Sequence, residues 1–261
     1  MPEGTPSCPQ EVHETLKFTV QIMEYKNYIF DFYGTLCDIR TDEEKPSVWK
    51  KTAEIYSAYG AFYKGSELKK AYRELIEEDK RKHEGEKDYE PDVTKVFGKM
   101  FIKKNVKVSQ DTVRSTAITF RALTRSYIKL YPGVEELFHE LKKRNKKIYL
   151  LSNAQTDFTR PEITMLGIGD LFDGIFISSE QGVKKPGRVF FERLLETYSL
   201  KAKECIMIGN DEAADIAGAQ EVGMDSLYIH SNISPKEYGK SEPTYRISDG
   251  DFTKIKEYIL D

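Results

Sequence analysis

Five short apolar runs recur along the chain: YIFDF (28–32), KIYLLS (147–152), GIFIS (174–178), CIMIG (205–209) and SLYIH (226–230). Each is rich in β-branched and aromatic residues with little polar alternation, the pattern of strands covered on both faces. Helical periodicity separates them, as in Val134, Leu137, Phe138 and Leu141, which share one face of a helix. Strand and helix in alternation predict an α/β fold with a doubly wound parallel sheet. Residues 33–146 separate the first run from the second, far more than one crossover helix needs.

That interval reads as helices. One from Ser47 carries Val48, Trp49, Ala53, Ile55 and Tyr56 and stops at Gly60. Ser66 is expected to cap a second, with Leu68, Tyr72, Leu75 and Ile76 on one face. A third from Pro91 groups Val93, Val96, Phe97, Met100 and Phe101, and Ser109 starts a long one through Val113, Ala117, Phe120, Leu123 and Tyr127. The charged KRKHEGEKDYE (80–90) is expected as a solvated loop. The predicted organisation is an N-terminal extension (1–22), a core of 23–41 and 129–261, and a helical insert (42–128) bundled beside the sheet. The YPGV turn at Tyr131 returns the chain to the core, with Pro132 placed to open the next helix.

Charge and cysteine content narrow the function classes. A net charge of −3 gives no reason to expect a polyanion, so no nucleic-acid partner is predicted. The basic KKRNKK (142–147) closes an amphipathic helix, where cations favour the macrodipole and face water. No apolar run is long enough to span a bilayer, and no membrane partner is expected. Cys8, Cys37 and Cys205 are too few and scattered for a disulfide framework or a metal cluster. Cys205 is expected in the core; Cys37, near Asp31, has a redox role as its alternative. A reducing cytoplasm is the expected setting, because MPEGTPSCPQ lacks the basic start and apolar centre of a secretory signal.

In a parallel sheet, function gathers at the carboxyl ends of the strands. Collecting residues there gives Asp31, Tyr33, Gly34 and Thr35 after the first run, and Ser152 and Asn153 after the second. Lys184 and Lys185 precede Pro186 after the third, and Asn210, Asp211, Glu212 and Asp215 follow the fourth. A carboxylate, hydroxyl and amide donors, a cation and an acidic cluster converge from four places. Singly, each of these reads more simply as a cap or a solvated charge; together they read as a reactive site.

These segments resemble the haloacid dehalogenase-like hydrolase superfamily in order and spacing. DFYGTLCD (31–38) is similar to its first motif, LLSNA (150–154) to its second, SSEQGVKKPGRVFFE (178–192) to its third and IGNDEAADIAGAQEVGM (208–224) to its fourth. The resemblance covers about residues 24–40 and 130–250, and the insert falls where the superfamily carries a helical cap. It implies that Asp31 is a nucleophile forming a covalent aspartyl intermediate that water hydrolyses. A carboxylate suits that role because it is ionised at pH 7 without a base. Thr35, Ser152 and Asn153 would bind the substrate's anionic group, and Lys185, directly before the proline, would neutralise developing charge. Mg²⁺ would be the cofactor, held by Asp31, the carbonyl of Tyr33 and Asp211, with Asp215 as an outer or second ligand. Asn210 departs from the pattern, standing where many relatives have the leading Asp.

Tyr33 divides the functional readings. In the family's phosphatases the residue two after the nucleophile is usually Asp, a general acid for the leaving alkoxide; a phenol with ordinary pKa near 10 is a poor substitute. The family's L-2-haloacid dehalogenases share the D-x-Y-G-T arrangement, because halide leaves without a proton. Those enzymes also carry a Trp in the fourth motif, a Tyr where this chain has Phe191, and a cap Arg for which Arg40 and Arg73 are the candidates between the flap and the long cap helix. The expectation is a Mg²⁺-dependent phosphatase of a small phosphorylated metabolite; the alternative is a metal-independent haloacid dehalogenase acting on a 2-haloacid. A non-catalytic binding or regulatory protein is the third reading. Substrate identity and oligomeric state are not legible.

Overall fold

The computed structural model describes residues 25–236 and 241–260; the expected extension 1–22 and Cys8 lie outside the described residues. Strand β1 (Asn27–Phe30) turns into β2 (Cys37–Thr41), and four helices follow: α1 (Pro46–Ala58), α2 (Gly65–Lys82), α3 (Val93–Lys103) and α4 (Gln110–Thr124). Strand β3 (Arg125–Leu130) returns antiparallel to β2. Then come α5 (Val134–Lys143), β4 (Lys147–Ser152), α6 (Thr156–Met165), β5 (Gly174–Ile177), α7 (Ser178–Gln181), α8 (Arg188–Thr197) and β6 (Cys205–Gly209). A π-helical turn (Glu212–Ile216) runs into α9 (Ala217–Glu221), and β7 (Asp225–Ile229), β8 (Tyr245–Ile247) and α10 (Ile255–Ile259) follow.

The sheet order is β5-β4-β1-β6-β7-β8, parallel throughout. Its central strands β4, β1 and β6 are buried on both faces, as their apolar runs require. Along β1, Tyr28 and Phe30 join a cluster with α5 and α10 residues such as Phe138 and Ile255, whereas Ile29 joins Phe190, Phe191 and Leu194 of α8 on the other face. β1 is central, flanked by β4 and β6, so Asp31 leaves it between the two neighbouring strand ends.

The four inserted helices have a core of their own, with Trp49, Tyr56, Phe97, Phe101 and Phe120 buried together. Phe158 of α6 joins this cluster; burying such a side chain contributes about 1.5–3 kcal/mol to seating the insert. Three local expectations are corrected. α4 stops at Thr124, not Tyr127, because Arg125 onward pairs with β2, Tyr127 opposite Arg40. α2 begins at Gly65, one residue before the expected cap Ser66. The Lys80–Glu90 segment is not simply solvated: Lys80–Lys82 form the last turn of α2, and its far end docks on the loop before Lys185. Lys184 N donates to Asp88 O at 2.9 Å and Glu90 N to Gly182 O at 3.2 Å.

Candidate active site

Asp31 is held in place by β6, its N–H donating to Ile208 O at 2.9 Å. Lys185 arrives from the loop after α7 and is almost fully buried. Its ammonium donates to Asp31 Oδ1 at 2.6 Å and to Leu151 O at 2.7 Å, and lies 2.7 Å from Asp215 Oδ1. The neighbouring Lys184 is only half-buried. Asn153 seats the Lys185 backbone: it accepts the Lys185 N–H at 2.8 Å and donates to the Lys185 carbonyl at 2.9 Å.

Thr35 Oγ1 approaches Asp31 Oδ2 at 3.3 Å and Asn210 Oδ1 at 3.2 Å. The turn carrying it depends on Gly34, which has φ +87° and faces the Asn210 side chain so closely that a Cβ would sit 2.4 Å from Asn210 Nδ2. Ser152 Oγ is buried without a hydrogen-bond partner among the described residues, next to the Asn153–Lys185 clasp. A buried unsatisfied hydroxyl costs about 1–3 kcal/mol, a cost removed when a ligand's oxygen meets it.

The fourth motif sorts its acids by geometry. Asp211 Oδ1 caps the π-helical turn, accepting from Ala213 N at 2.9 Å and Ala214 N at 3.1 Å. Asp215 turns inward instead, with Oδ2 accepting Asp211 N at 3.0 Å. Its buried Oδ1 is ion-paired with the Lys185 ammonium at 2.7 Å, without an aligned hydrogen-bond donor among the described residues. Burial pushes the Asp215 carboxyl up; Lys185 pulls it back and Asp31 raises it further. Burial works against the Lys185 charge, but Asp215 and Asp31 outweigh it and hold its pKa above the ordinary value. Two carboxylates thus face one ammonium. Carboxylates outnumber cations there, a donor set that suits a hard divalent cation. Among the described residues no three His, Cys, Asp or Glu side chains group as a metal cage; Mg²⁺ needs fewer, since it keeps waters and takes one or two carboxylates.

A cavity of about 200 Å³ opens over these groups, lined by Asp31, Tyr33, Asn153, Lys185, Asp211 and Asp215 among others. Tyr33 lines the cavity, but its hydroxyl is engaged elsewhere. The hydroxyl donates to Glu162 Oε2 at 2.5 Å and shares a 2.9 Å contact with Thr159 Oγ1. Burial and the Glu162 charge push the phenol well above its ordinary pKa. Cys37 is likewise buried, its thiol pushed up by desolvation and by Asp31, which removes the thiolate a redox role requires.

A family profile described as haloacid dehalogenase-like hydrolase matches residues 25–223. The chain belongs to the haloacid dehalogenase-like hydrolase family. The hydrolase is 25% identical over 190 residues to the glyceraldehyde 3-phosphate phosphatase of Pyrococcus furiosus, covering 73% of this chain and 72% of that one. It is 27% identical to the phosphoserine phosphatase of Thermus thermophilus over 53% of this chain and 55% of the relative, so it spans about half of that protein's length. Its fold is similar to the 2-haloacid dehalogenase of Pseudomonas syringae pv. Tomato (TM-score 0.62, 20% identity, 90% of this chain and 97% of that one). It is also similar to a magnesium-bound hydrolase of Bacillus subtilis (TM-score 0.50, 19% identity, 90% and 96%).

The candidate halide-site residues do not assemble. Arg40 is exposed on β2, and Arg73 pairs with Glu44 on the surface. The single tryptophan, Trp49, is buried in the insert's core with its indole N–H on Glu43 O. The sequence reading did not find Glu162, or Ile233 and Pro235, which also line the cavity. Glu162 had a signal: in TRPEITM it lies between the buried Phe158 and Ile163, on a helix face where an exposed acid has no place.

Proposed function

We propose that this hydrolase is a Mg²⁺-dependent phosphatase of a small phosphorylated metabolite, and that residues 42–128 act as its cap. The reading rests on the Asp31–Lys185–Asp215 cluster, in which two carboxylates face one ammonium beside the Asp211-lined cavity, a donor set that suits a divalent cation better than a departing halide. Asp31 attacks phosphorus: an Asp31 O–P bond forms, the phosphorus–leaving-group bond breaks, and the leaving oxygen departs with the electron pair. Water then cleaves the aspartyl phosphate, regenerating Asp31 and releasing phosphate. Lys185 stays beside Asp31 throughout and offsets charge on the transferring group. Ser152, with its unpartnered hydroxyl, and Thr35 bind the phosphoryl oxygens, and Asn153 keeps Lys185 in register. Mg²⁺, held by Asp31, the Tyr33 carbonyl, and Asp215 or Asp211, would neutralise the phosphoryl charge. The two buried free thiols, Cys37 and Cys205, favour a reducing, cytoplasmic setting.

Because the Tyr33 proton is committed to Glu162, no acid serves the leaving group from that position. Aryl and acyl phosphates, which leave without protonation, are therefore the favoured substrates, since general acid help is worth about 10²–10⁴-fold for poor leaving groups. The test compares p-nitrophenyl and acetyl phosphate with an alkyl phosphate, with Mg²⁺ and with chelator. Equal rates on all three, or rates indifferent to chelator, would overturn the reading. Tyr33 itself keeps the dehalogenase alternative in the test: chloride release from L-2-chloropropionate in chelator would establish it.

A further inference from the structure

The carboxylate of Glu162 is fully buried in α6 and joins three parts of the fold. Arg121, in the last turn of α4, donates to it at 2.8 Å and 3.3 Å. Arg125, the first residue of β3, donates at 2.8 Å, and Tyr33, two residues after the nucleophile, donates at 2.5 Å. Thr159, one turn before Glu162, takes the same phenol at 2.9 Å. The Arg121 guanidinium also stands 5.4 Å from the Tyr33 ring centroid and 5.5 Å from that of Phe158.

Burying a carboxylate costs several kcal/mol before any partner is counted, and a buried ion cluster is often no more stable than apolar packing in its place. Stability alone therefore gives a weak reason for an acid here; geometry gives a better one. The Tyr33 ring is held at its base by an edge contact to Phe32, centroids 4.8 Å apart, and at its tip by α6. Phe32 and Tyr33 open the Phe32–Cys37 turn just after Asp31, in which the Thr35, Leu36 and Cys37 N–H groups all donate to Phe32 O. A ring fixed at both ends leaves that turn little freedom.

We infer that Glu162 is a positioning residue: it anchors the Tyr33 hydroxyl and so fixes the turn that presents Asp31. By holding Arg121 and Arg125 with the same carboxylate, it makes that geometry depend on the seating of the insert. The inference rests on Asp31 being the reacting group, as proposed above, but on no particular leaving group.

The experiment is a double-variant cycle of Tyr33→Phe and Glu162→Gln in the full chain, on aryl phosphates spanning a range of leaving-group acidity. It is run well below the melting temperature of each protein. Each single variant is expected to lower kcat about tenfold, the scale of a small displacement of a reacting group. The loss should be uniform along the series, so that log kcat against leaving-group pKa keeps the wild-type slope. The double variant should lose about as much as the worse single, not about a hundredfold, because the Tyr33–Glu162 contact is common to both changes. A steeper slope in Tyr33→Phe would overturn the inference, since the phenol would then be acting on the leaving group. Multiplying losses, or melting temperatures that fall while kcat holds, would overturn it as well. If Glu162→Gln does not fold, Thr159→Val takes its place, because it touches the phenol and no guanidinium. If the wild type releases chloride from a 2-haloacid rather than phosphate, the phosphatase reading fails alone, and the same cycle on that reaction decides this inference.

Discussion

Lys185 Nζ and Asp31 Oδ1 lie 2.6 Å apart with the ammonium almost wholly removed from water. A cation so placed offsets the charge of Asp31, the proposed nucleophile, and its other near neighbours are Leu151 O and Asp215. Replacing Asp31 by Asn removes the proposed nucleophile while keeping the shape, and Asp215 still balances the lysine. Asp31→Asn is expected to lower kcat by at least about 10⁴-fold with its circular dichroism spectrum retained. Residual turnover within tenfold of wild type would refute nucleophilic attack from this position.

Removing the cation has a different consequence. Lys185→Met leaves Asp31 and Asp215 facing each other, buried and uncompensated. Breaking a buried ion pair from one side typically costs about 3–5 kcal/mol, so the urea midpoint should fall substantially, together with activity. A midpoint equal to wild type would mean the ammonium is not what balances the two carboxylates.

Gly34 is required by space and by backbone angle together. At φ +87° a side chain is strained, and its Cβ would strike an Asn210 side chain already engaged by Thr35 and Ser234. Gly34→Ala should destabilise by about 1–3 kcal/mol and displace Thr35 from Asp31. Thermal unfolding and kcat on an aryl phosphate would both report it; a variant matching wild type in the two measurements would contradict this account.

The strands and the four motif segments were legible because both rest on local pattern. Strands buried on both faces must be apolar throughout, and Asp31, Ser152, Lys185 and Asp215 each stand at or just beyond a strand or loop end that the sequence itself marks. The β2–β3 pair was not legible. Tyr127 continues the helical spacing of Phe120 and Leu123, and only the partner strand, distant in sequence, decides that the helix ends at Thr124. The docking of residues 88–90 on the loop before Lys185 was hidden for another reason: its hydrogen bonds are made by backbone, which no side-chain pattern reports. Glu162 was missed although its place between Phe158 and Ile163 marked it, because the two arginines that pair with it lie about forty residues away in sequence.

Asp173 explains the basic run that closes α5 and tests a surface-side feature of the fold. Lys142 and Lys147 both donate to its carboxylate, the latter at 2.9 Å, and Ile148 N–H donates at 2.9 Å, so one acid ties the last turn of α5 to the start of β4. Burial raises the Asp173 carboxyl, but the hydrogen bonds from Lys142, Ile148 and Lys147 outweigh it and hold the pKa below the ordinary value. A group with a depressed folded pKa stabilises fully above its unfolded value, about 3.9, and loses that contribution as pH falls through the folded one. Asp173→Asn is therefore expected to cost about 1–2 kcal/mol at pH 7, and its urea midpoint should converge on wild type as the solution is acidified below that range. A gap that stays constant, or widens, on acidification would show that the carboxylate's charge is not what joins α5 to β4.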